Sequence, residues 1–136
     1  QSDKIQFNGV FEYESMLSKE LQNAQQDLAK INEKLLELFD LLEKQTSCLT
    51  IIERSRAQVA LRDFQNSKKY WEEEIIVTQN ARRKLKSERE YLFQKISNIK
   101  EEQKLFKKYL KVMEDLEKIN VKIKSKEIKK QYALKA

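Results

Sequence analysis

The chain has 136 residues, of which 37% are charged, one is Gly and none is Pro, and its formal net charge is +6. Sheets and tight loops draw on Gly and Pro, and charge this dense cannot surround a thick core, so the composition argues against a compact mixed fold. No apolar run reaches the roughly 18 residues that span a bilayer, and no basic-then-apolar leader opens the sequence, so we expect a soluble protein without membrane insertion.

A lead-in without periodicity, residues 1–9, precedes the first predicted helix, which we place at about residues 10–45. Within it, residues 17–42 are apolar at every a and d position of a heptad repeat. This α1 stripe consists of Leu17, Leu21, Ala24, Leu28, Ile31, Leu35, Leu38 and Leu42. Such a narrow stripe needs a partner helix, which either a later segment of the chain or a second copy could supply.

A turn is expected at about residues 46–50. The segment around Gln45 is poor in strong helix formers, and Thr50 followed by Glu53 matches a capping box. The heptad phase also slips, because the first stripe continues to Ile52 whereas the later one starts at Ala57. A turn at residues 63–69 is the alternative, although Phe64 stays in phase with its neighbours there. A turn near residue 48 would pair Leu17 with a residue near 80.

The second helix is predicted at about residues 51–130. Its a and d positions include several polar residues (Lys68, Arg82, Arg89 and Gln103), which lower stability but can fix register. A capping box at Asn98 could add a break near Ser97 and so produce three helices. Residues 1–45 carry a net charge of −4 and the remainder +10, which favours pairing within one chain. We therefore predict an all-α, antiparallel two-helix coiled-coil hairpin with a longer second helix, forming one monomeric unit.

Past the region that the first helix can cover, the second helix is basic and weakly amphipathic. Three interpretations remain open: a solvated helix end, a docking segment for an acidic surface, and a nucleic-acid contact. The last is the least favoured, because no set of base-stacking aromatic residues accompanies the lysines. We accordingly expect no nucleic-acid partner.

Enzymatic function is not expected. The chain has no His and a single Cys, and it has no Gly-rich loop. It therefore lacks the parts of zinc sites, phosphate cradles and nucleophile–base pairs, and we predict no catalytic residue, cofactor or metal. We interpret the acidic run at residues 72–74 as solvated surface charges and Cys48 as a free cysteine without a functional role. Trp71 could either close the interior of the hairpin or form a binding patch with Phe64.

The sequence resembles a known family, the coiled-coil stalk proteins of bacterial type III secretion and flagellar export (the FliJ, YscO and InvI group). The similarity lies in Leu-Phe-Asp at residues 38–40, in Leu49 and Thr50 followed by Glu53, and in the run Arg-Arg-Lys-Leu-Lys-Ser-Glu-Arg-Glu at residues 82–90. It covers roughly residues 36–110. The non-helical lead-in and the acidic first arm depart from the family pattern.

The resemblance implies a stalk that binds and stimulates the hexameric export ATPase and links it to the membrane export gate. Such a protein would lie in the bacterial cytoplasm, peripheral to the inner-membrane secretion apparatus. A turn-end surface would then face the gate, and an open end with Lys122, Lys126 and Lys130 would face the ATPase ring. The turn-end surface on the matching positions consists of Leu42, Gln45, Leu49, Thr50, Phe64 and Trp71. The alternative is a generic tethering coiled coil, a dimeric rod without ATPase coupling.

Overall fold

The computed structural model describes residues 9–135. Within this range the chain forms two long helices, α1 at Val10–Arg54 and α2 at Leu61–Lys135, joined by a short 3₁₀ helix at Arg56–Gln58. None of the described residues lies in a strand. The predicted fold class, an all-α helical hairpin with a longer second helix, is confirmed.

The chain divides into two units, each containing part of both helices. In the unit formed by Lys19–Ser97, three contacts between α1 and α2 define an antiparallel pairing. Asn32 contacts Arg89, Phe39 contacts Arg82, and Glu53 contacts Lys68; the last two residues form an ion pair of 3.8 Å.

A step of seven residues forward on α1, from Asn32 to Phe39, is matched by a step of seven back on α2, from Arg89 to Arg82. A step of fourteen to Glu53 is matched by fourteen back to Lys68. A whole-heptad step on both helices is the register of an antiparallel coiled coil.

Burial in this unit follows the a and d positions predicted from the sequence. All of them from Leu21 to Ile52 on α1 and from Phe64 to Ile96 on α2 are buried or half-buried. Ala24, Leu35, Phe64 and Leu92 are at most 8% exposed and form the apolar core. Two polar residues, Gln45 and Thr78, are also buried. The hydrophobic stripes therefore hold the two helices together.

The turn predicted at residues 46–50 is wrong, because α1 continues through that segment to Arg54. The Thr50 hydroxyl does not cap a new helix; it donates to the carbonyl of Thr46 at 3.0 Å. Thr46 in turn donates to the carbonyl of Leu42 at 2.8 Å. These bonds back to residue i−4 satisfy both hydroxyls inside a continuous helix. The α1 stripe accordingly extends past Leu42 to Ile52 without a change of phase.

The connection instead occupies residues 55–60, at the predicted phase slip. Ser55 ends α1: its amide donates to the carbonyls of Ile51 and Ile52, and its hydroxyl donates to Ile51. After the 3₁₀ turn, Val59 is extended, with φ −129° and ψ 158°, and α2 begins two residues later. No described residue has a positive φ, so this turn does not require Gly. The alternative turn at 63–69 and the break near Ser97 both fall within α2.

The second unit contains the described residues 9–18 and 98–135. Tyr13 on α1 donates its hydroxyl hydrogen to Glu102 Oε2 at 2.7 Å, and its ring lies 4.6 Å from that of Phe106. Leu17 is buried and lines a groove with Gln103 and Phe106. The pairing of Leu17 with a residue near 80 is therefore wrong, as a consequence of the misplaced turn. The predicted lead-in lies outside the described residues, apart from Gly9.

No helix in residues 9–135 has a stretch that is both long and apolar enough to cross a membrane.

Candidate partner-binding surfaces

The predicted turn-end residues lie largely between the two helices. Gln45 and Phe64 are buried, whereas Leu42, Leu49, Thr50 and Trp71 are half-buried. Except for Thr50, these residues occupy a and d positions of the helix pair. Trp71 contacts its neighbour Tyr70 edge-on, with ring centroids 5.0 Å apart, and Tyr70 is itself 54% exposed. The main role of the six predicted turn-end residues is packing between the helices. Among them only Phe64 lies within the first turn of α2.

The surface around the connection is formed by other residues, which sequence reasoning missed because it placed the turn earlier. Three arginines, Arg54, Arg56 and Arg62, are exposed, and no acidic residue lies between the first and the last of them. Large apolar side chains stand beside them: Ile51 is 61% exposed, Val59 47% and Leu61 59%. The sequence did contain a signal for the position of the connection, namely the slip in heptad phase after Ile52. The connection thus presents a cationic and apolar surface.

Phe64 anchors this connection from inside the helix pair. Its ring is covered by two cations: the Arg56 guanidinium lies 5.4 Å and the Lys68 ammonium 5.9 Å from the ring centroid. Lys68 also reaches across to Glu53 near the end of α1. Cations over an aromatic face are attracted by its quadrupole. The contact between Arg56 and Phe64 joins the 3₁₀ turn to the start of α2.

The last part of α2, residues 111–135, is exposed at every position. The a/d stripe stops here, because the a and d positions after Met113 are Glu117, Asn120 and Lys124. The predicted residues Lys122, Lys126 and Lys130 are all exposed in this segment.

In this segment the apolar residues follow each other at steps of four, three and four along α2, on a different line from the a/d stripe. This spacing places them on one face of the helix. The line consists of Val112, Leu116, Ile119 and Ile123, each between 48% and 55% exposed. Lys126 and Lys130 continue the same face. The segment is therefore basic, with eight lysines against four acidic residues, and it is weakly amphipathic over residues 112–123.

The described residues provide no evident site for chemistry. Among them, no group of three or more His, Cys, Asp or Glu side chains could hold a metal ion. Cys48 is a free, half-buried thiol beside a shallow surface depression that includes Asp40 and Lys44. The acidic run at 72–74 stands on the outer side of α2, with only Glu74 half-buried.

No protein-family model, curated protein or solved structure matches this chain.

Proposed function

We propose that this chain is a coiled-coil stalk of a bacterial type III protein-export apparatus, which binds and stimulates the hexameric export ATPase. The single observation that carries the proposal is the exposed, basic, amphipathic segment at residues 111–135 of α2, in a chain whose two helices otherwise pair antiparallel. A helical hairpin is the architecture that the sequence resemblance implies for such stalks.

The chemistry of the segment favours an acidic partner surface. Residues 118–135 contain seven lysines and one glutamate. Complementary charge accelerates encounter and selects among partners, while the apolar face at Leu116, Ile119 and Ile123 supplies area to bury. The partner surface in the ATPase ring would therefore combine carboxylates with apolar side chains.

The surface around the connection is the proposed contact for the export gate. In place of the buried and half-buried residues derived from the family pattern, the accessible groups are Arg54, Arg56 and Arg62 with Val59 and Leu61. Arginine is enriched in protein interfaces because its planar guanidinium can bind carboxylates in a bidentate way and also stack on apolar surfaces. In this proposal the protein acts in the bacterial cytoplasm beside the inner-membrane secretion apparatus.

The experiment is a binding and stimulation assay with purified export ATPase and the variant Lys122→Glu/Lys126→Glu/Lys130→Glu. Reversal of three exposed charges should weaken ATPase binding by at least about tenfold at low salt and abolish stimulation. The matched control is Lys84→Glu/Lys95→Glu/Lys104→Glu, which makes the same charge change at exposed positions of α2 outside the segment. The control should retain both activities.

Two outcomes would refute the proposal: unchanged binding and stimulation in the terminal variant, or equal loss in both variants. A tethering coiled coil without ATPase coupling would bind no export ATPase at all, and it would be recovered as a dimer. Light scattering of the same preparations separates the two functions.

A further inference from the structure

A third surface, distinct from both surfaces of the proposed stalk function, combines aromatic rings with arginines that have no carboxylate partner among the described residues. It lies entirely in the 19–97 unit. On α1, Asn32, Leu36 and Phe39 follow each other at steps of four and three, so they share one face of the helix. On α2, a matching face is formed by the residues Arg82, Lys86, Arg89 and Phe93. We call these seven residues the arginine–aromatic patch.

Contacts between the helices place both faces on the same side of the pair. The Arg82 guanidinium lies 5.9 Å from the centroid of the Phe39 ring. Arg89 contacts Asn32 Oδ1 through Nη1 at 3.5 Å and lies 5.9 Å from the centroid of Phe93, one turn further along α2. The aromatic rings thus hold the two guanidinium groups at defined positions.

The patch contains hydrogen-bond donors that the described part of the chain leaves unused. Nε of Arg82 and Nε of Arg89 are buried and have no acceptor among the described residues. Neither arginine forms an ion pair with any described carboxylate. A buried N–H group without an acceptor is unfavourable, which makes this packing of the two arginines costly. Both side chains are only half-buried, so the outer part of each guanidinium remains for a carboxylate that approaches along the groove.

The apolar members of the patch are too exposed to serve packing alone. Leu36 is 67% exposed, Phe39 47% and Phe93 45%. Lys86 adds a third positive charge, and the patch itself contains no carboxylate. A ligand that matches it must therefore present carboxylates together with apolar side chains.

The spacing of the arginines indicates the form of that ligand. Arg82 and Arg89 are one heptad apart, which on a helix is about 10.5 Å. An α-helix lying along the groove between α1 and α2 repeats at the same distance, so two of its carboxylates seven residues apart could each meet one guanidinium. Aliphatic residues between those carboxylates would cover Leu36 and the two Phe rings.

We propose that the arginine–aromatic patch binds an acidic amphipathic helix of another protein, which packs as a third helix along this unit. Carboxylates at positions i and i+7 of that helix accept hydrogen bonds from Arg82 and Arg89, and its apolar face covers Leu36, Phe39 and Phe93.

The test uses the full chain and a synthetic helix-forming peptide of three heptads, with Glu at two positions seven residues apart and Leu on the same face between them. A second peptide has Gln in place of both Glu residues. We expect the Glu peptide to bind in fluorescence anisotropy and to shift the NMR signals of the Arg82 and Arg89 Nε–H groups, with binding of the Gln peptide about tenfold weaker.

The decisive variant is Arg82→Gln/Arg89→Gln, which should weaken binding of the Glu peptide by about tenfold or more. The matched control, Lys84→Gln/Lys95→Gln, removes two positive charges from the opposite face of α2 and should leave the affinity within about twofold. If the arginine variant does not fold, as judged by circular dichroism, the Nε–H shifts of the unmodified protein still decide the matter.

Several results would overturn the proposal. These are equal affinity for the Glu and Gln peptides, equal loss in both double variants, and Nε–H signals that do not move on binding. Preferential binding of a single-stranded oligonucleotide would assign the patch to nucleic acid instead. Self-association that the arginine variant abolishes would assign it to a second copy of the chain.

Discussion

Gln45 is a buried polar residue in the core of the helix pair. It occupies a d position of α1, is 4% exposed, and its Oε1 is buried without a hydrogen-bond donor among the described residues. The helix register places it at the level of Ile75 and the buried Thr78, whose own hydroxyl donates to the Glu74 carbonyl at 3.1 Å. A buried acceptor without a partner costs stability, but a polar residue in a coiled-coil core can also fix the register of the pair.

Replacement of Gln45 by Leu should therefore stabilise the protein. We expect Gln45→Leu to raise the free energy of unfolding by about 1–2 kcal/mol, because the change removes an unsatisfied acceptor and buries an aliphatic side chain of similar size. Urea unfolding followed by circular dichroism measures the change. The control is Gln79→Leu at an exposed position of α2, with an expected effect within about 0.5 kcal/mol. A lower free energy of unfolding in the Gln45 variant would contradict the argument.

Sequence periodicity identified the packing residues well at this scale. Every a and d position of α1 from Leu17 to Ile52, and of α2 from Phe64 to Leu110, is buried or half-buried as the heptad predicts. The heptad does not account for the half-buried positions 48, 50, 67, 74 and 81. Periodicity could not tell which acceptors the polar side chains would find. Thr50 illustrates this point: the same four-residue pattern suits a capping box and a hydroxyl bonded back to its own helix, and the second arrangement occurs.

At the scale of elements, the connection between α1 and α2 was the part that sequence patterns predicted least well. Turn signals rest mainly on Gly, Pro, Asn, Asp and Ser, and among residues 55–60 only Ser55 belongs to this set. The phase slip between Ile52 and Ala57 did contain the information, since two stripes that cannot share one straight helix require a break between them. The capping-box pattern at Thr50 favoured a turn at residues 46–50, which lies before the actual connection at residues 55–60.

The start of α2 lacks a side-chain cap, which makes it a site for stabilisation. Ala60 precedes the first helical residue, and its carbonyl accepts a hydrogen bond from the Phe64 amide at 3.0 Å. Alanine cannot satisfy the free N–H groups of the first turn. We expect Ala60→Asp to raise the free energy of unfolding by about 1 kcal/mol, because its carboxylate can accept from those amides and lies at the positive end of the helix dipole.

The control for this prediction is Ala57→Asp, in the 3₁₀ turn rather than before α2. It adds the same charge to the same cationic surface, and so separates capping from general electrostatic attraction. Thermal unfolding by circular dichroism should show a higher midpoint for the Ala60 variant than for the Ala57 variant. Equal midpoints would show that the added charge, and not the cap, is responsible.

At the scale of the whole molecule, the decisive property is that α1 finds its partner within its own chain. The acidic first segment and the basic remainder favour this pairing, and the contacts of Phe39 with Arg82 and of Glu53 with Lys68 illustrate it within the 19–97 unit. A stripe of this kind would be satisfied equally by a second copy with the connection straightened, as in domain swapping. Only a measurement that distinguishes contacts within one chain from those between two chains separates these states.

Spin labels at residues 33 and 88 provide that measurement. Both positions are exposed, and the helix register places them opposite each other in the 19–97 unit. In a Cys48→Ser background, Glu33→Cys/Glu88→Cys should give a distance of about 10 Å between the helices plus the label linkers, whereas one continuous helix would separate the sites by roughly 80 Å. Dilution with unlabelled protein should leave the short distance unchanged, and light scattering should give the mass of one chain. Loss of the short distance on dilution, together with a doubled mass, would show that the stripe is shared between two copies and would favour the tethering rod over the stalk.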